Sequence, residues 1–287
     1  MEQRRIGDTK VSAIGLGGMP MSVRETNDEA LGIKTIHQAI DSGITLIDTA
    51  DAYTPDDAPI GHNEELIAKA IASYWADTGQ VLVATKGGMT RDGSDWGTDG
   101  RPESIRKACE GSLRRLGVEA IGLYQHHRPD PDVPYADTIG AFKDLLDDGL
   151  IVRAGLSNAD PEQIETAHDI LGDGLVSVQN QFSPKFRSSE PELDLCAAKG
   201  LAFVPWSPLG GMRGAADLGS TFAVFGEVAR KYDASPQQVC LAWQLAKSPV
   251  IIPIPGASRP ESITDSARAV ELTLEKADFD RLDSASS

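Results

Sequence analysis

The sequence is poor in aromatic residues and in positive charge, and the second shortage excludes two classes of partner. Aromatic side chains make up 6% of the 287 residues, and lysine and arginine total 27 against 43 aspartate and glutamate residues. The net charge of −16 argues against a basic surface of the kind that neutralises nucleic-acid phosphates or anionic membranes. We therefore expect neither nucleic acid nor a membrane as a partner.

Long apolar runs and metal-binding motifs are also missing. No stretch approaches the roughly 18 apolar residues that a membrane span requires, and the opening MEQRRIGDTK lacks the apolar segment of a signal peptide. Cys109, Cys196 and Cys240 are widely spaced, which is typical of reduced core thiols and not of a disulfide framework or a CxxC metal site. The sequence predicts a cytoplasmic protein without a built-in metal.

Eight short apolar runs of strand character recur along the chain, each followed by a segment with a helical pattern. They span residues 11–17, 44–50, 81–86, 121–127, 151–157, 175–181, 201–206 and 250–254. Proline in the first turn marks helix starts at Pro102, Pro161, Pro236 and Pro260. Eight such units in about 250 residues are typical of a closed parallel barrel. The sequence therefore predicts an α/β fold: one (β/α)8 TIM barrel domain over residues 1–287.

Glycine-rich segments require separate interpretation. Residues 87–100 and 210–219 are predicted to be long loops over the barrel mouth. GLGGMP at 15–20 is similar to the fingerprint of Rossmann folds, but Pro20 replaces its third glycine. The acidic residue that should end the following strand of such a unit is missing as well. We therefore prefer the barrel to a doubly wound sheet.

Active residues of such barrels lie at the carboxyl ends of strands and in the loops that follow. This rule selects four ionisable residues: Asp48, Tyr53, Lys86 and His127. Each alone is more often structural, but together their types suit acid–base chemistry. A phenol has a pKa near ~10, and a neighbouring ammonium group such as that of Lys86 lowers it. Asp48 would keep the buried lysine charged, and a neutral His127 would orient a substrate oxygen.

Seven motifs in chain order resemble those of the aldo-keto reductase superfamily. They are LIDTADAY at 46–53, VATKGG at 83–88, LYQHHRPD at 123–130, GLSN at 155–158, SVQNQFS at 177–183, WSPLGGM at 206–212 and IPIPGASRPE at 252–261. The resemblance covers nearly the whole chain and is greatest to the bacterial and potassium-channel-β-like branches. It implies a (β/α)8 barrel that binds an extended nicotinamide dinucleotide and reduces a carbonyl group.

The resemblance also implies catalytic roles. Tyr53 corresponds to the family's proton donor, and His127 to the histidine that orients the substrate. Lys86 and Asp48 correspond to the charged pair that supports them. His126 is the rival of His127, but the family motif reads LYQ, one variable residue, then His, which selects His127.

Cofactor contacts are implied at the carboxyl ends of the later strands. Ser157, Asn158 and Gln179 are similar to the residues that hydrogen-bond the nicotinamide carboxamide. Trp206 stands where the family stacks an aromatic ring on the nicotinamide, with a role in the barrel core as the alternative. The other implied contacts are Gly18, Met19, Asp48, Ser207, Pro208, Leu209, Gly211, Met212, Gly256, Ser258, Arg259, Ser262 and Asp265.

The last of these stretches bears on the choice between NADPH and NADH. Relatives that prefer NADP often carry two or more basic residues there, and here only Arg259 is basic. Ser258 and Ser262 stand where a basic residue is common, and Asp265 and Ser266 where Glu and Asn are usual. One guanidinium group still suffices to bind a 2′-phosphate through two hydrogen bonds. We expect NADPH, with NADH as the alternative.

These inferences predict a reductase that converts an aldehyde or ketone to an alcohol, with Tyr53 as proton donor. Three alternatives stay open. The first is an NADPH-binding regulatory or redox-sensing subunit with incidental turnover, and the second is the same site working as a sugar or alcohol dehydrogenase. The third is a barrel hydrolase or aldolase in which Lys86 forms a Schiff base. The expected partner is a small carbonyl substrate, and the oligomeric state is open, with a monomer as one option.

The substrate pocket is expected to include Trp96 and Arg128, and further walls are expected from Met19, Met21 and Phe182. Trp96 lies in a polar, glycine-rich segment where ligand contact explains an indole better than packing does. Arg128 suggests an anionic or polyol substrate, and a salt bridge to Asp130 explains it equally well.

Overall fold

The computed structural model describes residues 1–23 and 28–285, apart from the side chains of residues 212 and 213. Its strands are β1 (Gln3–Ile6), β2 (Thr9–Ser12), β3 (Leu16–Gly17), β4 (Leu46–Asp48), β5 (Leu82–Gly87), β6 (Met89–Asp92), β7 (Asp95–Thr98), β8 (Leu123–His126), β9 (Ala154–Ser157), β10 (Leu175–Gln179) and β11 (Ala202–Phe203). Seven of them form one parallel sheet in the order β11–β10–β9–β8–β5–β4–β3. The predicted α/β class is confirmed.

Helices follow most strands of the parallel sheet. They are α1 (Glu29–Asp41), α2 (His62–Ala72), α3 (Pro102–Leu116), α4 (Tyr135–Asp147), α5 (Pro161–Leu171), α6 (Glu190–Lys199), α7 (Gly211–Thr221), α8 (Ala223–Lys231), α9 (Pro236–Lys247), α10 (Pro260–Ala267) and α11 (Lys276–Ala285). Four of them begin at the prolines that the sequence marked as helix starts. Asp160 caps α5 by accepting from the Gln163 N–H, and Ser235 caps α9 in the same way.

The eighth predicted strand, residues 250–254, is not a regular strand. Pro253 has no N–H group, which interrupts a continuous ladder. The segment nevertheless hydrogen-bonds to both edges of the sheet. Ile252 donates to the Phe203 carbonyl in β11 at 2.8 Å, and Gly15, just before β3, donates to the Pro253 carbonyl at 2.9 Å. The two edge strands are therefore joined through this segment.

Apolar side chains divide into two clusters, one of which contains no helix residue. That cluster consists of Ile6, Val11, Leu46, Leu82, Ala84, Leu123, Val176, Ala202, Val204, Ile252 and Ile254. We call it the strand-only cluster, since its residues lie in strands or in the segments at 204 and 250–254 that hydrogen-bond to the sheet. Because the helical side chains pack in the other cluster, the strand-only cluster occupies the concave face of the curled sheet. It forms the inner core that lies directly below the carboxyl ends of the strands.

The amino terminus departs from the predicted strand at 11–17. It forms an antiparallel hairpin of β1 and β2, followed by the short β3. Ile6 and Val11 of this hairpin are fully buried in the strand-only cluster. The hairpin therefore supplies two side chains of the inner core.

The two glycine-rich tracts predicted as loops contain regular structure, and these predictions are wrong in part. Within 87–100, β6 and β7 form a hairpin whose turn includes Gly93 at a φ of 57°. Within 210–219, most residues belong to α7, which the buried Leu218 anchors to the core. Tertiary packing overrides the low helix propensity of glycine there.

The three cysteines are free and buried, and burial raises the pKa of each thiol to about 12. Among the described residues, no helix has both the length and the apolar character needed to cross a bilayer. The same residues contain no group of three or more His, Cys, Asp or Glu side chains suited to a metal ion.

We predict that Ile6→Ala lowers the free energy of unfolding by about 2–5 kcal/mol, because it leaves a cavity in the inner core. Equilibrium urea unfolding followed by circular dichroism measures the change. Val152→Ala is the control, since Val152 is 53% exposed and loses little burial. Equal unfolding midpoints for the two variants would contradict a core role of the amino-terminal hairpin.

Candidate active site

A cavity of about 1190 Å³ opens at the carboxyl ends of the parallel strands. Most of the residues that the sequence singled out line it: Met19, Asp48, Tyr53, Trp96, His127, Arg128, Ser157, Asn158, Gln179, Trp206, Ser207, Pro208, Leu209, Gly211, Gly256, Ser258, Arg259, Ser262 and Asp265. Residues that are far apart in the chain therefore share one space, as expected when parallel strands end at one edge.

Several predicted residues lie elsewhere. Lys86 is fully buried behind the wall, and Gly18 lies behind it too, where its N–H donates to the Asp48 carbonyl at 2.8 Å. The side chain of Met212 is outside the described part of the chain. The prediction that Met21 and Phe182 line the pocket is wrong, because both are buried in the apolar core.

The Lys86 ammonium group is the centre of the site. It donates to Asp48 Oδ2 at 2.7 Å, to the Thr49 carbonyl at 2.9 Å and to the Tyr53 hydroxyl at 3.1 Å. These three bonds use all three of its N–H donors. Because the Tyr53 oxygen accepts from Lys86, its own proton is directed elsewhere, and no acceptor for it is found among the described residues. The His127 ring stands edge-on to Tyr53, with ring centres 5.5 Å apart.

Burial and charge oppose each other in this group. Burial has the largest single effect on Lys86 and alone would lower its pKa, but the charges of Asp48 and Tyr53 and their hydrogen bonds together outweigh burial and raise that pKa above its usual value. Burial raises the pKa of Tyr53, and the nearby Lys86 charge only partly offsets the rise. The expectation that the Tyr53 pKa falls is therefore wrong in net sign. Burial, aided by the Lys86 charge, holds the pKa of His127 well below its usual value. At neutral pH, Lys86 is charged and both Tyr53 and His127 are neutral.

Two glutamine side chains hold the Asp48 carboxylate. Gln179 donates to Asp48 Oδ1 at 2.7 Å and Gln125 donates to the same oxygen at 3.3 Å. The resemblance implied a nicotinamide contact for Gln179, whereas in the structure its amide nitrogen donates its hydrogen bond to Asp48. Sequence reasoning missed Gln125, although the alternation of β8 puts it on the same face as His127.

A second polar layer lies behind the loop that carries Tyr53, and sequence reasoning missed it. The fully buried Glu64 accepts from Thr85 Oγ1 at 2.5 Å and from Arg115 Nε at 2.5 Å. Asp51 is buried too, and burial together with the Glu64 charge raises its pKa to about 8. The available sequence signal was the pair of acidic residues Glu64 and Glu65 at the start of α2. Acidic residues are common in a first helical turn because they interact favourably with the helix dipole, so this signal did not indicate a buried site.

Asn158 organises the opposite wall of the cavity. It adopts a left-handed backbone conformation with a φ of 58°. Its amide nitrogen donates to the His127 carbonyl at 2.9 Å and to Ser157 Oγ at 3.0 Å, while its oxygen accepts from Trp206 Nε1 at 3.2 Å. The Trp206 ring also packs against the strand-only cluster. Its orientation at the cavity wall is therefore set from two sides.

The far end of the cavity reaches the start of α10. Arg259 is the N-cap residue of this eight-residue helix, and its exposed guanidinium has no ion-pair partner among the described residues. The unpaired N–H groups of a first helical turn favour anions. Asp265 is held in place by Ser235 Oγ and Gln238 Nε2, both at 2.7 Å. Positive charge at this end therefore comes from Arg259 and the helix terminus.

The family model of the aldo/keto reductase family matches residues 13–287. An uncharacterized oxidoreductase of Schizosaccharomyces pombe is 34% identical over 284 residues, which cover 97% of this chain and 88% of that protein. A Glycine max protein named "Probable aldo-keto reductase 1" is 32% identical over 299 residues, covering 94% and 84% of the two chains.

Solved structures agree with these matches. A thermostable aldo-keto reductase in complex with the inhibitor epalrestat has a TM-score of 0.84 at 29% identity, with coverage of 99% of this chain and 100% of that one. The glycerol dehydrogenase of Gluconobacter oxydans has a TM-score of 0.84 at 27% identity, with coverage of 99% and 94%. The chain belongs to the aldo/keto reductase family and is an oxidoreductase.

Proposed function

We propose that the protein is an NADPH-dependent reductase that converts an aldehyde or ketone to an alcohol, with Tyr53 as the proton donor. The hydrogen bond from Lys86 to the Tyr53 hydroxyl is the observation that carries this proposal. It leaves a neutral phenol at the cavity wall with a proton to give and a cation beside it. The cavity volume exceeds the roughly 300–1,000 Å³ of ordinary ligand pockets, as a dinucleotide together with a substrate requires.

Four side chains have separate roles in the proposed carbonyl reduction. A reduced nicotinamide supplies the hydride to the carbonyl carbon when it is bound. Tyr53 gives its proton to the carbonyl oxygen, and Lys86 stabilises the phenolate that remains. The neutral His127 donates a hydrogen bond to the same substrate oxygen and so orients the carbonyl group. Asp48 balances the lysine charge in a site that is buried from water.

The cavity walls fit an extended nicotinamide dinucleotide. The Trp206 ring offers a flat surface for the nicotinamide. Asn158, which accepts from Trp206 Nε1, and Ser157, which accepts from Asn158, supply polar groups in the same wall. Gln179 adjoins them while holding Asp48. Arg259 would bind the 2′-phosphate of NADPH. The remaining contacts are assigned to Met19, Asp48, Ser207, Pro208, Leu209, Gly211, Met212, Gly256, Ser258, Ser262 and Asp265, with Gly18 acting from behind the wall.

The same proposal includes a closed (β/α)8 barrel that forms one domain over residues 1–287. The hydrogen bonds of Ile252 and Gly15 to opposite sides of the sheet support closure by the segment at 250–254. The solved aldo-keto reductase that aligns with 99% of this chain supports a single domain.

Alcohol oxidation at the same site is the second candidate. One solved neighbour is a glycerol dehydrogenase, and proton and hydride transfer are reversible. A Schiff-base mechanism is disfavoured because the Lys86 nitrogen is held by Asp48, Thr49 and Tyr53 as an ammonium group and is not a free amine. Comparing NADPH consumption with a range of aldehydes and NADP⁺ reduction with a range of alcohols identifies the favoured direction.

We predict that Tyr53→Phe lowers kcat for aldehyde reduction by about 10²- to 10⁴-fold, the usual contribution of general acid catalysis. NADPH affinity, measured by fluorescence titration, should stay within a few fold. Tyr135→Phe is the matched control, because its buried hydroxyl has no partner among the described residues and does not line the cavity. Full activity of the Tyr53 variant would exclude the proton-donor role.

For the cofactor, we predict that Arg259→Gln weakens NADPH binding by about 10- to 100-fold, through loss of a charge-assisted hydrogen-bond pair. NADH affinity should change little, since NADH has no 2′-phosphate. Arg268→Gln is the control, because Arg268 is exposed and pairs with Glu271 on the outer surface. An equal loss of affinity for NADPH and NADH would show that Arg259 does not bind the 2′-phosphate.

A further inference from the structure

Arg128 lies at the end of the cavity that contains Tyr53 and His127, which we call the substrate end. It directly follows His127, and its side chain lines the same space as Tyr53 and the β7 residues Trp96 and Thr98. Its charge is close enough to the His127 ring to contribute to lowering the imidazole pKa. A cation therefore stands beside the two groups that contact the carbonyl oxygen in the proposed reaction.

No carboxylate of residues 1–23 or 28–285 forms an ion pair with this cation. Asp130 was the obvious partner from the sequence, but its oxygens accept backbone N–H groups of Gly100 at 2.8 Å and Asp132 at 3.0 Å. Among the described residues, no acidic oxygen lies within 4.0 Å of the Arg128 guanidinium. Most other described arginines take part in ion pairs, as Arg101 does with Asp99. Arg5, Arg114, Arg230 and Arg259 likewise have no ion pair among the described residues, and of these four only Arg259 also lines the cavity.

Two other cations near this end of the cavity, Lys86 and Arg91, are each paired with a carboxylate. Asp48 and Lys86 form a buried pair with a separation of 2.7 Å. Arg91 of the β6–β7 hairpin binds Asp56 at 2.6 Å, and its guanidinium stacks 4.1 Å over the Trp96 ring. Among the described residues that line this end of the cavity, Arg128 is therefore the charged group without an ionic partner.

We propose that Arg128 binds an anionic group of the substrate, so that the physiological substrate is a small aldehyde or ketone that carries a carboxylate or phosphate. The inference rests on the proposed reductase function. A guanidinium group binds such an anion through two parallel hydrogen bonds, which hold the carbonyl group at a defined distance from Tyr53. Arg259 binds the cofactor phosphate at the opposite end, and the two arginines have separate ligands.

The test compares two substrates of nearly equal shape, 4-carboxybenzaldehyde and its uncharged amide, 4-formylbenzamide. The wild-type enzyme should have the higher kcat/KM for the carboxylate. Arg128→Gln should lower kcat/KM for the carboxylate by about 10- to 100-fold, the range expected for hydrogen bonds to a charged group. The same variant should reduce the amide within about threefold of the wild-type rate, because no charged contact is lost.

Binding supplies a readout that is independent of turnover. Calorimetric titration of the NADPH-loaded protein with 4-methylbenzoate should show binding that Arg128→Gln abolishes and Arg128→Lys partly retains. Arg106→Gln is the matched control, because Arg106 pairs with Asp148 on the outer surface between α3 and α4.

The outcomes separate the two proposals. If the wild-type enzyme reduces both aldehydes equally and Arg128→Gln changes neither, the anion site is excluded and the reductase function stands. If Arg128→Gln reduces activity on both substrates to the same extent and 4-methylbenzoate binding is unaffected, Arg128 has a general structural role and the anion site is again excluded. Failure of the wild-type enzyme to reduce any carbonyl compound with either cofactor overturns both proposals.

Discussion

The site depends on one buried positive charge. Taking the Lys86 ammonium out of water is costly, and the chain compensates for this cost with three acceptors at hydrogen-bond distance. The Asp48 carboxylate needs its own support, which Gln125 and Gln179 provide from neighbouring strands. The position of Tyr53 follows from the same arrangement, because its oxygen is the third acceptor. The ends of β4, β5, β8 and β10 are thereby joined in one network beneath the cavity.

The sequence predicts much of this network because parallel strands place their carboxyl ends at one edge. Asp48, Lys86 and His127 each lie in the carboxyl-terminal part of a predicted strand, and the structure brings all three together. Helix starts could also be predicted from the sequence, since a proline in the first turn is a local signal. The hairpin of β1 and β2 was missed although its local signal was present, a two-residue turn of Gly7 and Asp8 in which Gly7 has a φ of 59°. Helix α7 was missed because its stability comes from packing, including the bond from Gln237 to the Ala215 carbonyl at 2.6 Å.

Other features of the site could not be predicted because they depend on burial. The sign of the Tyr53 pKa shift is a balance between desolvation and the Lys86 charge, and only the three-dimensional structure sets the first quantity. The same reason explains Met21 and Phe182, whose apolar side chains are equally suited to a pocket wall and to a core. Glu64 was missed because a carboxylate at a helix start is usually solvated, whereas here Arg115 and Thr85 allow full burial.

The hairpin of β6 and β7 is fastened to the segment that follows Tyr53. Arg91 makes this connection, since one guanidinium both stacks on Trp96 and contacts Asp56 and the Thr54 carbonyl. The cavity wall formed by this hairpin and the loop that carries the proposed proton donor are consequently linked through one side chain. Replacing this hairpin with that of a relative, in order to broaden the substrate range, would therefore also disturb the position of Tyr53. The Arg91–Asp56 pair has to be kept in such a design.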